Sequence, residues 1–381
     1  MQGFLPQKVP SKSYSVQSES CDRIQEIASN LPKLLLTGKV QSVINRLSPK
    51  DLSIDDLLIN QASQDLKLAM SHLSFIAHAY IWGDNKPNES IPSVLANPWV
   101  KAANNQGRPP ILSYASYCLD NWFLIDPDES ISLENVGLIN NFLGGVDEDW
   151  FVTIHVCIEN AAADAMAACA EIAMLETDSP ESKTIELLKR IVISMQKVNE
   201  IFARMPEKCD PYIYYHRVRP FIFGTKDNPD LKNGLIYKGE FENRPQFFRG
   251  ETGAQSSIMP FLDGALGIYH TKDHLRHYLN EMRDYMPPEH RLMIEKVEQG
   301  TPEWFAARLG NVTASRVADV IAKTKSGYSA SRENYMAQLI CERMTGTVAE
   351  SYTNAAMAWG TETEPLARAA YESLADVLVD E

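Results

Sequence analysis

Residues 147–174 read DEDWFVTIHVCIENAAADAMAACAEIAM. The acidic opening, Asp147-Glu148-Asp149, suits the positive end of a helix dipole. No Gly or Pro interrupts the remainder of the stretch, and the repeated Ala carries the smallest conformational cost of helix formation. The stretch predicts one long helix, and its small residues (Ala161-Ala162-Ala163, Ala165, Ala167-Ala168) let a neighbouring helix or a flat ligand approach closely. His155, between Phe151 and Ile158, is out of keeping with the apolar run. Burying an imidazole without a partner is costly, so His155 either bonds a nearby backbone group or faces a ligand cavity.

Outward from this helix the chain is read as mainly α. Residues 65–80, DLKLAMSHLSFIAHAY, carry apolar side chains at i, i+3, i+4 and i+7, the spacing of one helical face. Breaks at Leu31-Pro32, Asn85-Lys86-Pro87-Asn88 and Asn97-Pro98 divide this early helical region. Further helices are expected over 111–122, from Glu181 to about Met205, over 254–268, and from His274 to Met286, where Pro287-Pro288 stops it. The segment 206–253 is rich in Pro, Gly and aromatics, the composition of an ordered functional loop region. Four blocks result: an irregular lead-in over 1–20, a small helical domain over 21–105, a larger helical domain over 106–297, and a segment of different character over 298–381.

Composition bounds what this chain does. Its 381 residues carry 36 Lys and Arg against 50 Asp and Glu, a formal net charge of −14, with 44% hydrophobic residues. That apolar content excludes a disordered chain. The acidic balance argues against nucleic acid as a partner, because neutralising phosphates takes a cationic face. Six scattered Cys without CxxC spacing are expected to be buried free thiols. Neither a signal peptide nor an apolar run long enough for a membrane span is evident, and a cytoplasmic protein with no membrane partner is expected.

Two further features suggest a site. His274 opens a helix on which Tyr278 and Tyr285 lie near it on the helical wheel, and an imidazole on such a face is what a haem iron takes as its proximal ligand. The alternatives are a hydrogen-bonded core His, or rival positions at His270, His277 and His290. Arg219, beside Tyr214, Tyr215 and Phe221, has the chemistry to hold a carboxylate bidentately while rings stack on a planar substrate.

The ordered run of motifs resembles indoleamine 2,3-dioxygenase over roughly residues 20–297. The motifs are Pro109-Pro110-Ile111-Leu112-Ser113-Tyr114-Ala115, Asn121-Trp122, Phe151 to Glu159 with Ala161-Ala162-Ala163, and Arg219 to Gly224. They continue with Gly234 to Gly239, Arg249-Gly250-Glu251-Thr252-Gly253-Ala254-Gln255-Ser256-Ser257, and Met282 to Arg291. The resemblance implies a small helical domain and a large all-α haem-binding domain. It implies haem b, active as ferrous iron with dioxygen as co-substrate, opening the pyrrole ring of L-tryptophan to N-formylkynurenine. By position it implies His274 as proximal iron ligand and Arg219 as carboxylate binder. Tyr114, Phe151, Tyr214 and Tyr215 would be pocket aromatics, Thr252 and Gly253 the loop touching the substrate amine, and His155 a distal residue that orients substrate or oxygen. An indole-modifying relative without tryptophan dioxygenase activity is the alternative within the same class.

The last block has its own resemblance. Val297 to Phe305, Arg308-Leu309-Gly310, Thr313-Ala314-Ser315 and Ala358-Trp359-Gly360 with Glu364 look like the first half of a phage lambda exonuclease or YqaJ-type recombination nuclease, an α/β fold of the restriction-endonuclease kind. Glu364 matches that family's helix-borne metal-site glutamate. The family's catalytic Asp and Glu-x-Lys pair have no counterpart here, so DNA-processing exonuclease activity is the less favoured alternative and Glu364 is expected to be vestigial.

Overall fold

Helices account for most of the chain in a computed structural model that describes residues 3–173, 181–266, 268, 274–297, 323–324, 327–328 and 330–345. The principal helices are α1 (Glu19–Ser29), α2 (Ser63–Trp82), α3 (Ser93–Asn105), α4 (Val146–Ala173), α5 (Glu181–Ala203), α6 (Ile258–Leu266), α7 (His274–Met282), α8 (Pro288–Val297) and α9 (Ala330–Thr345). Glu364 and the motif residues 301–315 and 358–364 lie outside the described residues, so the expected nuclease-like fold is visible only as α9 and the hairpin of Lys323–Thr324 with Gly327–Tyr328.

The central helix is α2, buried from Asp65 through Ile81 with Lys67 as the one partly exposed exception. Such a position is tolerable only because its polar side chains are paired. Tyr14 Oη meets His72 Nδ1 at 2.9 Å, Ser71 Oγ donates to the Ser116 carbonyl at 3.0 Å, and Trp99 Nε1 donates to Ser74 Oγ at 2.9 Å. Asp65 accepts the Ser15 and Val16 amides at 2.9 and 2.8 Å. The lead-in, expected to be merely irregular, is thereby tied down: Phe4 and Leu5 are buried, and Phe4 packs edge-on against Phe261 at 5.7 Å. One apolar cluster runs from Leu5 through α1, α2, α3 and α4 to Tyr237, so the core passes without interruption across residue 105.

The Ala-rich side of α4 packs against a helix rather than a ligand. Ala162, Ala165 and Ala168 lie in one cluster with Leu187 and Ile191 of α5, and Ser194 Oγ donates to the Ala161 carbonyl at 2.6 Å. Short strands modify the all-α expectation: β1 (Ser90–Ile91) runs parallel to β4 (Leu235–Tyr237), β4 pairs antiparallel with β5 (Pro245–Gln246), and β2 (Trp122–Leu124) pairs antiparallel with β3 (Val136–Leu138). The helix expected over 111–122 shrinks to a π-helical turn, Ala115–Leu119, and a second π turn spans Tyr214–Val218. The helix from His274 yields to a 3₁₀ turn at Arg283–Tyr285, and Pro288, placed where its missing N–H costs nothing, starts α8. Of the six free cysteines five are buried as expected, and Cys341 is exposed.

Candidate active site

Phe151, His155 and Glu159 are spaced by four along α4 and so share one face of it. The two π turns bring rings to that face, and such turns widen a helix locally and re-aim side chains at functional sites. Phe151 stacks on Tyr214 from the second turn with centroids 4.3 Å apart and planes 24° apart. On its other side Phe151 lies 4.3 Å from the His155 ring. Tyr114, just before the first π turn, meets His155 edge-on at 5.8 Å, and Tyr117 lies 6.3 Å from Phe151. The result is an aromatic wall built from three segments distant in sequence.

His155 bonds a nearby backbone group, the first of the two expectations. Its Nδ1 donates to the Phe151 carbonyl at 2.7 Å, which makes Nε2 the acceptor nitrogen of the neutral ring. Burial lowers the imidazole pKa, opposed by that backbone bond, so the neutral tautomer is the form present at neutral pH. Behind it sits a carboxyl that the motifs alone did not single out. Glu159 is fully buried; its Oε1 accepts from Tyr114 Oη at 2.9 Å and Ser256 Oγ at 2.8 Å, while Oε2 has no hydrogen-bond partner among the described residues. Burial lifts its pKa to about 7, against the pull of the Ser256 and Tyr114 bonds.

Glu159 gives the fold a pH signature. A carboxyl whose folded pKa is raised from 4.5 to about 7 favours the folded state below 4.5 and loses that contribution as pH rises through 7. Glu159→Gln, which cannot ionise, is expected to gain stability relative to the unaltered protein between pH 5 and pH 8. Urea unfolding of both proteins at the two pH values checks the sign, and a difference that does not change with pH contradicts it.

The 219–226 and 246–255 segments complete the pocket. Gly224 and Gly250 press backbone on backbone, and a Cβ on either would collide with main-chain atoms of the other segment. Thr225 N donates to the Phe248 carbonyl at 2.8 Å and Glu251 N to the Ile222 carbonyl at 3.1 Å. Gln255 then links the loop to the first π turn, accepting from Tyr114 N at 2.8 Å and donating to the Gly250 carbonyl at 2.9 Å. Arg219 is exposed at the rim, over the Phe223 ring at 6.0 Å. Tyr214 is buried in the wall, but Tyr215, expected beside it, is 58% exposed and turned to His216 at 5.1 Å. Neighbouring residues in a helical turn point in different directions, so the two rings of the pair do not lie side by side. Thr252 caps the 3₁₀ turn Gly253–Gln255 through its side chain, and Gly253 borders an open cavity of 350 Å³ between that loop, α6 and α7.

The expected iron ligand is not at that cavity. Its α7 wall is formed by Arg276, Leu279 and Asn280. At 100° per residue these lie on the side of the helix opposite His274. His274 itself is exposed. The wheel relationship with Tyr278 and Tyr285 was real, but it marks the side that packs on Arg249: Tyr285 Oη accepts from Arg249 N at 2.8 Å, and Arg249 lies over the Tyr278 ring at 5.5 Å. His277 is exposed and His290 is buried beside Ser257 Oγ at 3.2 Å, while His270 lies outside the described residues. The described residues hold no cluster of His, Cys, Asp or Glu able to bind a metal ion.

The fold places the chain in a class, mainly helical proteins with short accessory strands. Comparison with known proteins makes the class definite. The family model for indoleamine 2,3-dioxygenase matches residues 1–315, and the chain belongs to that family of haem-dependent dioxygenases. A YqaJ-like viral recombinase domain matches residues 303–381, so the two matches overlap over 303–315. Indoleamine 2,3-dioxygenase 1 of Rattus norvegicus is 34% identical over 280 residues, 72% of this chain and 67% of the relative. The Saccharomyces cerevisiae indoleamine 2,3-dioxygenase is 32% identical over 314 residues, 78% of this chain and 68% of the relative. A 6-hydroxytryptophan 2,3-dioxygenase of Fusarium equiseti is 28% identical over 298 residues, 78% of this chain and 71% of the relative. The chain therefore spans about two thirds of the length of these relatives. Among the described residues no helix is long and apolar enough to cross a membrane.

Proposed function

We propose that this chain acts on an indole amino acid of the tryptophan type, in the oxidative opening of the pyrrole ring to an N-formylkynurenine. The observation that carries the reading is the stacked wall of Phe151 and Tyr214 with His155 at its edge and Arg219 at its rim. A flat apolar ring slots against the wall while its carboxylate reaches the guanidinium. In this reading His155 Nε2 accepts the indole N–H, a positioning role rather than that of an obligatory base. Haem, the family's cofactor, supplies the dioxygen chemistry when bound. The 6-hydroxytryptophan enzyme among the relatives supports the wider class of indole amino acids over tryptophan alone.

The test uses the full chain with added haemin, reductant and air, then chromatography for the ring-opened product from L-tryptophan and 6-hydroxytryptophan. Product from either supports the reading, and absence of any indole binding refutes it. In the same assay His274→Ala is expected to lose the haem absorption band and turnover together, because in this reading His274 is the imidazole that binds the iron. An unchanged haem band on that substitution would remove His274 as the iron ligand.

A further inference from the structure

The carboxyl of Glu251 is the second charged group of this pocket, and no sequence motif gave it a role. It is 8% exposed, and its Oε1 has no hydrogen-bond partner among the described residues. A buried carboxylate oxygen left without a donor is costly unless something else completes it. The backbone fixes where it stands: Glu251 N is bonded to the Ile222 carbonyl at 3.1 Å, three residues after Arg219, and Gln255 ties the preceding carbonyl to Tyr114. The close approach of Gly224 and Gly250 leaves the two segments no freedom to slide apart. Resting on the reading above, we propose that Glu251 binds the α-ammonium group of the substrate while Arg219 binds its carboxylate.

An amino acid carries its ammonium and carboxylate on one carbon, so their partners must be neighbours, and the bond from Glu251 N to the Ile222 carbonyl holds this acid beside the segment that bears Arg219. The charge of Glu251 is felt by Tyr114, Tyr117, Cys118 and Tyr214, the residues around the aromatic wall. Burial raises its own pKa to about 7, with Arg219 opposing. An arriving ammonium supplies the charged donor that Glu251 Oε1 lacks.

Three probes separate the contacts by equilibrium dialysis against the full chain: L-tryptophan, indole-3-propionate without the amine, and tryptamine without the carboxylate. Glu251→Gln is expected to weaken tryptophan and tryptamine by about tenfold or more, the worth of one charged hydrogen bond, and to leave indole-3-propionate unchanged. An equal loss for all three probes means a purely structural role and overturns the proposal, as does no loss for any. The unaltered chain gives an independent reading should the variant not fold: tryptamine must compete with tryptophan, and binding of indole-3-propionate without tryptamine excludes an amine site at Glu251. If the unaltered chain binds none of the three, the proposed function falls and this assignment with it. If it binds tryptophan and only the Glu251→Gln pattern fails, the proposed function stands.

Discussion

Gly250→Ala is expected to prevent this protein from folding to a soluble, cooperative native state, or to lower its melting temperature by more than about 10 °C. The reason is local and steric. The added methyl meets the Ile222 carbonyl, the Gly224 amide and the Phe223 carbonyl carbon, all backbone atoms that cannot rotate away as the end of a side chain does. Relieving the collision means parting the two segments, and that breaks the bonds from Glu251 N to Ile222 and from Thr225 N to Phe248. Strain of this kind belongs to the few mechanisms that exceed about 4 kcal/mol for one substitution. Thermal unfolding monitored by circular dichroism is the check. Gly253→Ala is the control: a Cβ there meets nothing within 4 Å, and its melting temperature should stay near that of the unaltered protein.

The second large effect is on binding. Phe151→Ala should weaken indole amino acids by about 2–3 kcal/mol, roughly 30- to 150-fold in Kd, because it removes most of one aromatic face and its stacking preference. Phe151 touches Tyr214 and His155 at 4.3 Å each, so its loss also frees the Tyr214 ring and the edge of His155. Dialysis with L-tryptophan measures it, alongside Phe151→Leu, which fills the space without the ring. Equal affinity in Phe151→Ala and the unaltered protein would remove this wall from the site.

What could be read from the sequence divides along physical lines. The helices of 65–80, 147–174 and 181–205 were legible because their period and their lack of Gly and Pro are local properties, and the structure sets them within a few residues at α2, α4 and α5. The π turns were not, because apolar spacing is matched to 3.6 residues per turn and a widened turn scrambles it. His155 drew notice as a polar residue in an apolar run. Glu159 sits in the same run and was absorbed into a motif, since nothing local tells a buried acid from an exposed one. His274 had a clear motif position, but which side of α7 meets the cavity depends on partners elsewhere in the chain. Tyr214 and Tyr215 could be ranked only by knowing the turn they occupy.

One buried ring has a kinetic consequence. His78 is bonded at both nitrogens, Nδ1 donating to the Phe221 carbonyl at 2.7 Å and Nε2 accepting from Leu112 N at 3.0 Å. A single imidazole thus fastens α2 to the two segments that bear Tyr114 and Arg219. Those three pieces are separated by long stretches of chain, and closing such loops is slow. The pocket therefore cannot form early on a partly organised chain; ligand capture should appear only in the final phase of refolding, when the most distant contacts have locked.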